Sequence, residues 1–231
     1  MKSIIQTVTP NIGMSLEFYK KLNFQEIPNE HSSLVTDGKV IMEINTDRSA
    51  RSGVKLYQAS WQKEVTGLEK ITAITKIDNG YLLADASGTW IYLMEKPFDI
   101  NYELKEKACG ITGNYAGLSL ETMDIERSLE IWETLHFSIT MGGADKGWVT
   151  LKNADDMGIS LMKPLMCPHL FFNPSLTYFN GKINNPMVIE KVRAVNIPIT
   201  EEITVFNKEG IVDNIIIRDP GGFGFFLFND G

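Results

Sequence analysis

The sequence predicts an α+β fold built from two tandem domains, each a pair of βαβββ units. Three observations carry this. Residues 15–24 read SLEFYKKLNF and residues 128–137 read SLEIWETLHF, one pattern repeated 113 positions apart. Asn11 and Asp124 stand equally far ahead of the two segments, where a helix needs an N-cap. The halves also end alike, DASGTWIYLME at 85–95 and DPGGFGFFLFN at 219–229, each with an Asp, a Gly three residues on and an apolar run.

The elements follow in order. Ile, Val and Thr at 3–9 read as a strand, and Pro10-Asn11 breaks it. Ile12, Leu16, Tyr19 and Leu22 recur at helical spacing. Short strands are expected at 24–27, 33–36 and 40–44, with Asp37-Gly38 as a hairpin turn. A second unit places strands at 54–58, 71–75, 81–84 and 89–94, with a short helix at 61–67 and turns at Asn79-Gly80 and Ser87-Gly88. The third predicts strands at 116–121, 138–141, 148–151 and 159–162 around a helix at 125–135. The fourth predicts strands at 176–179, 204–206, 212–217 and 223–228, with a helix near 187–194. The reading divides the chain into residues 1–97, a connection at 98–113 that can hold a short helix, and residues 114–231. The second half carries about 21 extra residues, most of them near the Pro- and Phe-rich loop at 164–174.

A net charge of −7 argues against binding driven by phosphate neutralisation. The best basic patch, Arg48 with Arg51 and Lys55, is thin, so no nucleic-acid partner is expected. No apolar run reaches the ~20 residues of a membrane helix, and no secretory signal is apparent. Two cysteines, Cys109 and Cys167, make no disulfide framework. The expectation is a cytoplasmic protein without a membrane partner.

The helix pattern Ser15, Phe18, Tyr19, Leu22, Phe24 and the turn Asp219-Pro220-Gly222 resemble those of the vicinal oxygen chelate superfamily, which includes glyoxalase I, extradiol dioxygenases and the bleomycin-resistance proteins. The resemblance covers nearly the whole chain. It implies two tandem glyoxalase-like domains, each forming a concave, partly closed sheet. Enzymes of that superfamily hold a divalent metal between His, Gln or Glu inside the concave sheet, where it can polarise a carbonyl. Counted from the helix caps and turn glycines, the corresponding positions here are Ile4, Tyr92, Gly117 and Phe226, none a metal ligand. Gln6, Glu43 and Glu121 are the nearest alternative donors, and His31, His136 and His169 sit elsewhere. The expectation is no metal and no cofactor.

If Tyr92 and Phe226 face inward, alternation sets Trp90 and Met94 beside one and Phe228 beside the other. With Gln6 these form the candidate ligand-binding set: Gln6, Trp90, Tyr92, Met94, Phe226 and Phe228. They either line a pocket for a small apolar or aromatic ligand or simply fill the cup, and the sequence leaves both open. Cys167-Pro168-His169 could pair a thiol with an imidazole, although no protease signature surrounds it.

Three functions therefore stand: a metal-free binding protein of the bleomycin-resistance type, a metal-dependent lyase or dioxygenase with an atypical site near Gln6 and Glu43, and an interaction module. The last rests on a looser similarity of the stretch RSARSGVKL and the two-domain length to proteins described as C3-degrading proteinases. Catalytic residues are not assigned. Single domains of the superfamily often dimerise, and a tandem chain can make that pairing internally, so a monomer or a homodimer is expected.

Overall fold

The computed structural model describes residues 1–30 and 32–230. His31 lies outside the described residues. The first sheet comprises β1 (Lys2–Val8), β2 (Gln25–Ile27), β3 (Ser33–Thr36), β4 (Ile41–Asn45), β5 (Gly53–Tyr57), β6 (Thr75–Ile77), β7 (Gly80–Ala84) and β8 (Trp90–Met94). Its strand order is β2-β3-β4-β1-β5-β8-β7-β6. Helices α1 (Ile12–Lys21) and α2 (Gln62–Leu68) complete its two βαβββ units.

The second sheet repeats the plan with β9 (Tyr115–Glu121), β10 (Ser138–Gly143), β11 (Trp148–Lys152), β12 (Gly158–Met162), β13 (Ser175–Phe179), β14 (Ile199–Ile203), β15 (Asn214–Arg218) and β16 (Gly224–Phe228). Its order, β10-β11-β12-β9-β13-β16-β15-β14, matches the first position by position. Helices α3 (Ile125–Thr134) and α4 (Gly181–Ala194) belong to it. In each sheet the first strand of one unit lies antiparallel to the first strand of the next, β1 on β5 and β9 on β13, joining the units at the centre.

Both expected caps form. Asn11 Oδ1 accepts from the Met14 amide at 3.1 Å and Asp124 Oδ1 from the Arg127 amide at 3.0 Å, satisfying amides the first turn leaves free. The apolar helix faces and the convex sides of both sheets share one core, in which Tyr19, Leu22, Trp132 and Leu135 meet Ile5, Val54, Leu118 and Leu176. Helix α1 packs across to the other sheet, with Phe18 5.7 Å from Phe225 between ring centroids.

Reciprocal hydrogen bonds lock the halves together. Asp219, in the terminal turn of the second domain, accepts from Thr7 Oγ1 at 2.7 Å and from the Tyr19 hydroxyl at 2.9 Å. Asp85, in the corresponding turn of the first domain, accepts from Ser128 Oγ at 3.2 Å and Trp132 Nε1 at 3.1 Å. The repeated aromatic thus carries a polar tip in both copies, aimed at the other copy's turn.

Three expectations need correction. The strand placed at 71–75 is Thr75–Ile77, because the amides of Ile71 and Thr72 both donate to Leu68 O at 2.9 Å and prolong the end of α2 as a turn. The strand placed at 204–206 is Ile199–Ile203. Residues 204–207 close a turn through Asn207 N to Thr204 O at 2.9 Å, leaving Val205 and Phe206 exposed. Residues 95–114 contain no helix; Phe98, Ile100 and Tyr102 lie against Ile4, Ile41 and Tyr57 on the concave side of the first sheet.

Candidate functional site

The strand registers fix what stands at each centre. In the first sheet Ile4 pairs with Lys55, and Lys55 with Tyr92. In the second, Gly117 pairs with Thr177, and Thr177 with Phe226. The four positions implicated by the resemblance therefore flank Lys55 in one cup and Thr177 in the other. One row away, Gln6 pairs with Glu43, and Ser119 with Ser160.

Lys55 dominates the first cup. Its ammonium lies 2.7 Å from Glu43 Oε2, with both side chains nearly buried at 12% and 13% exposure, and 5.7 Å from the Tyr92 ring. A salt bridge this enclosed is held in place because separating it would leave a buried charge uncompensated. The basic patch suggested by Arg48, Arg51 and Lys55 is thereby dissolved, since Lys55 points into the cup.

Gln6 and Tyr92 are spent on the backbone of Arg51. Gln6 Nε2 donates to Arg51 O at 2.7 Å, and the Tyr92 hydroxyl accepts from Arg51 N and donates to Arg51 O, each at 3.0 Å. Asn45 Nδ2 occupies Gln6 Oε1 at 2.9 Å. Burial is the main cause of a raised Tyr92 pKa, so this phenol is a neutral donor at physiological pH.

The second cup is partly hydroxyl-lined. Ser119 and Thr177 are 2.6 Å apart, and Thr150 and Ser160 3.2 Å. Its other side is aromatic: Phe226 and Phe228 stack at 5.4 Å, and Phe171 meets Phe226 edge-on at 5.0 Å. Glu121 accepts from the Leu165 amide at 3.3 Å. No group of three His, Cys, Asp or Glu able to hold a metal occurs among the described residues.

Cys167 and His169 do not engage one another. The Cys167 thiol lies 3.5 Å from Met162 Sδ, and burial followed by the charge of Glu121 raises its pKa, which disfavours the thiolate. His169 Nδ1 contacts Leu170 O at 2.7 Å, and its ring packs on Phe171, Phe226 and Phe228. His136 instead pairs with Glu64 at 2.9 Å across the domain junction.

Of the six candidate ligand residues, Gln6, Trp90, Tyr92 and Met94 share the first sheet and Phe226 and Phe228 the second, so they form two groups. Met94 packs with the cluster under Phe98, and Phe226 under Phe171 and Phe172. Open volume lies at the rims of the cups. A cavity of about 450 Å³ runs between the concave edge at Ile4 and Ile41, the connecting segment at Phe98 and Tyr102, and the second domain at Tyr115 and Met157. Sequence reasoning missed this cavity because its wall is the connecting segment, which has no periodicity to read. The one available signal was the aromatic spacing of Phe98 and Tyr102.

Solved structures share the architecture. The 2,3-dioxygenase LapB from Pseudomonas sp. KL28 superposes with TM-score 0.60 at 14% identity, over 99% of this chain and 91% of that one. The Mn(II)-bound glyoxalase from Novosphingobium aromaticivorans gives 0.58 at 12%, covering 96% and 79%. Homoprotocatechuate 2,3-dioxygenase from Arthrobacter globiformis gives 0.59 at 12%, covering 98% and 78%. No protein-family model and no curated protein matches the sequence. These likenesses show the fold: two tandem domains of paired βαβββ units, as in those dioxygenases and that glyoxalase.

Proposed function

We propose that this protein is a metal-free member of that fold which binds a small apolar or aromatic ligand against the concave side of its first sheet. The carrying observation is the Lys55–Glu43 pair at the centre of the cup. A divalent ion of the kind named for the Novosphingobium glyoxalase needs anionic or neutral donors free to turn toward it. Here Glu43 is neutralised by an ammonium, and Gln6 is engaged at both ends of its amide. The residues do not fit a metal.

The 450 Å³ cavity lies within the range of small-molecule sites. Its floor is apolar at Ile4, Ile41 and Phe98, and Lys39 at its wall has no acidic partner among the described residues. An apolar body carrying one acidic group suits that lining. Gln6 and Tyr92 lie outside it and fix the Arg51 loop through its backbone. The proteinase-type reading gains no support from the separated Cys167 and His169.

The test uses chelator-treated protein and 8-anilinonaphthalene-1-sulfonate, an acidic aromatic probe. Saturable binding that is unchanged by chelator and lost in Ala116→Trp, which fills the cavity, is expected. Binding that requires an added divalent ion, or that persists in a folded Ala116→Trp variant, would overturn the proposal.

A further inference from the structure

The two terminal turns face each other across the domain junction beside a second cavity of about 330 Å³, which shares no lining residue with the first. It lies at the other end of β1, where Val8 is part of its wall. Arg51, Ser52 and Trp90 line it from the first domain, and Asn173, Pro174 and Gly222 from the second. Arg51 is the sole charged group among its described lining residues, in a chain whose net charge is −7. A cation with no carboxylate among the cleft's described lining residues, in an acidic protein, selects an anion.

The arginine is held ready. Its backbone is fixed by the Gln6 and Tyr92 bonds, and its Nη1 donates to Arg48 O at 3.1 Å and Ala50 O at 2.7 Å. The guanidinium carbon stands 5.8 Å from the centre of the Trp90 ring, within cation–π range. Nε and Nη2 make no bond among the described residues, and these two parallel donors match the two oxygens of a carboxylate. The opposite wall is backbone. Gly222 has φ +94° and nothing within 4 Å of where a Cβ would stand, while a Cβ on Gly221 would fall 1.7 Å from Val8 O. The turn therefore approaches the first domain as closely as a chain can, with no side chain filling the gap at Gly222.

We propose that this cleft is a second ligand site, for a small monocarboxylate with a planar apolar body. The carboxylate takes the free fork of Arg51, and the body lies among Trp90, Pro174 and Phe223. A single positive charge favours a monoanion over a dianion, whose second charge would be unmatched.

Benzoate titrated into the full chain, followed by calorimetry and by tryptophan fluorescence, tests this. Saturable binding at about 1 mM or tighter is expected. Arg51→Gln should weaken it about tenfold or more. Ser52→Phe should block it and Trp90→Phe should remove the fluorescence change, both in the Ala116→Trp background that closes the first cavity to the same class of ligand. The proposal fails if benzoate shows no saturation, if folded Arg51→Gln and Ser52→Phe both bind as the parent does, or if inorganic phosphate competes as well as benzoate.

Discussion

Asp219→Ala probes how the two domains are joined. Three donors converge on this buried carboxylate: the Thr7 hydroxyl at 2.7 Å, the Tyr19 hydroxyl at 2.9 Å and the Phe223 amide at 2.8 Å. Alanine leaves all three without an acceptor, and each orphaned buried donor costs about 1–3 kcal/mol. Part of that is offset. Burial, the largest influence on Asp219, raises its pKa against several lowering hydrogen bonds, so the native state carries a cost for the charge that alanine removes. The net loss should be about 3 kcal/mol, or roughly 6–12 °C in Tm for a chain of this size. Asp219→Asn keeps an acceptor for Phe223 and discards the charge, so it should lose about 1 kcal/mol. The pH dependence has a definite sign. A carboxyl whose folded pKa lies above its unfolded value contributes stability that is present below the unfolded pKa and lost as pH rises through the folded one. The advantage of the parent over Asp219→Asn should therefore grow on acidification. Scanning calorimetry at neutral and acidic pH checks both points. An alanine variant within about 1 kcal/mol of the parent would refute the reasoning.

Other consequences are simpler. Gly221→Ala places a Cβ 1.7 Å from Val8 O, and should lower Tm by several degrees without altering secondary structure by circular dichroism. Lys55→Met strands Glu43 and should cost about 2–4 kcal/mol, most of it recovered in the Lys55→Met/Glu43→Met double variant, as chemical denaturation would show. Iodoacetamide should label Cys167 slowly at neutral pH and faster as the pH climbs, since its raised pKa keeps the thiol protonated. Rapid labelling at neutral pH would contradict that.

The scaffold was readable because it rests on local signals: caps at Asn11 and Asp124, the helical spacing of Phe18, Tyr19 and Leu22, and turn glycines. The two misplaced strands sat where apolar residues serve a turn, Ile71 folding back on α2 and Val205-Phe206 facing solvent. The site was harder to read. Lys55 looked like part of a surface cluster, because nothing nearby in sequence shows that Glu43 waits opposite it on the other side of β1. Likewise Tyr19 and Trp132 were visible as a repeated aromatic, yet their partners Asp219 and Asp85 lie far along the chain. Both cavities are bounded by both halves of the chain, so no single stretch could announce them.

Titration of Mn(II), Fe(II) or Zn(II) into chelator-treated protein, read by calorimetry, addresses the central claim most directly. With Lys55 holding Glu43, no saturable site tighter than about 100 μM is predicted. One equivalent bound more tightly than that, and lost in Glu43→Gln, would contradict it.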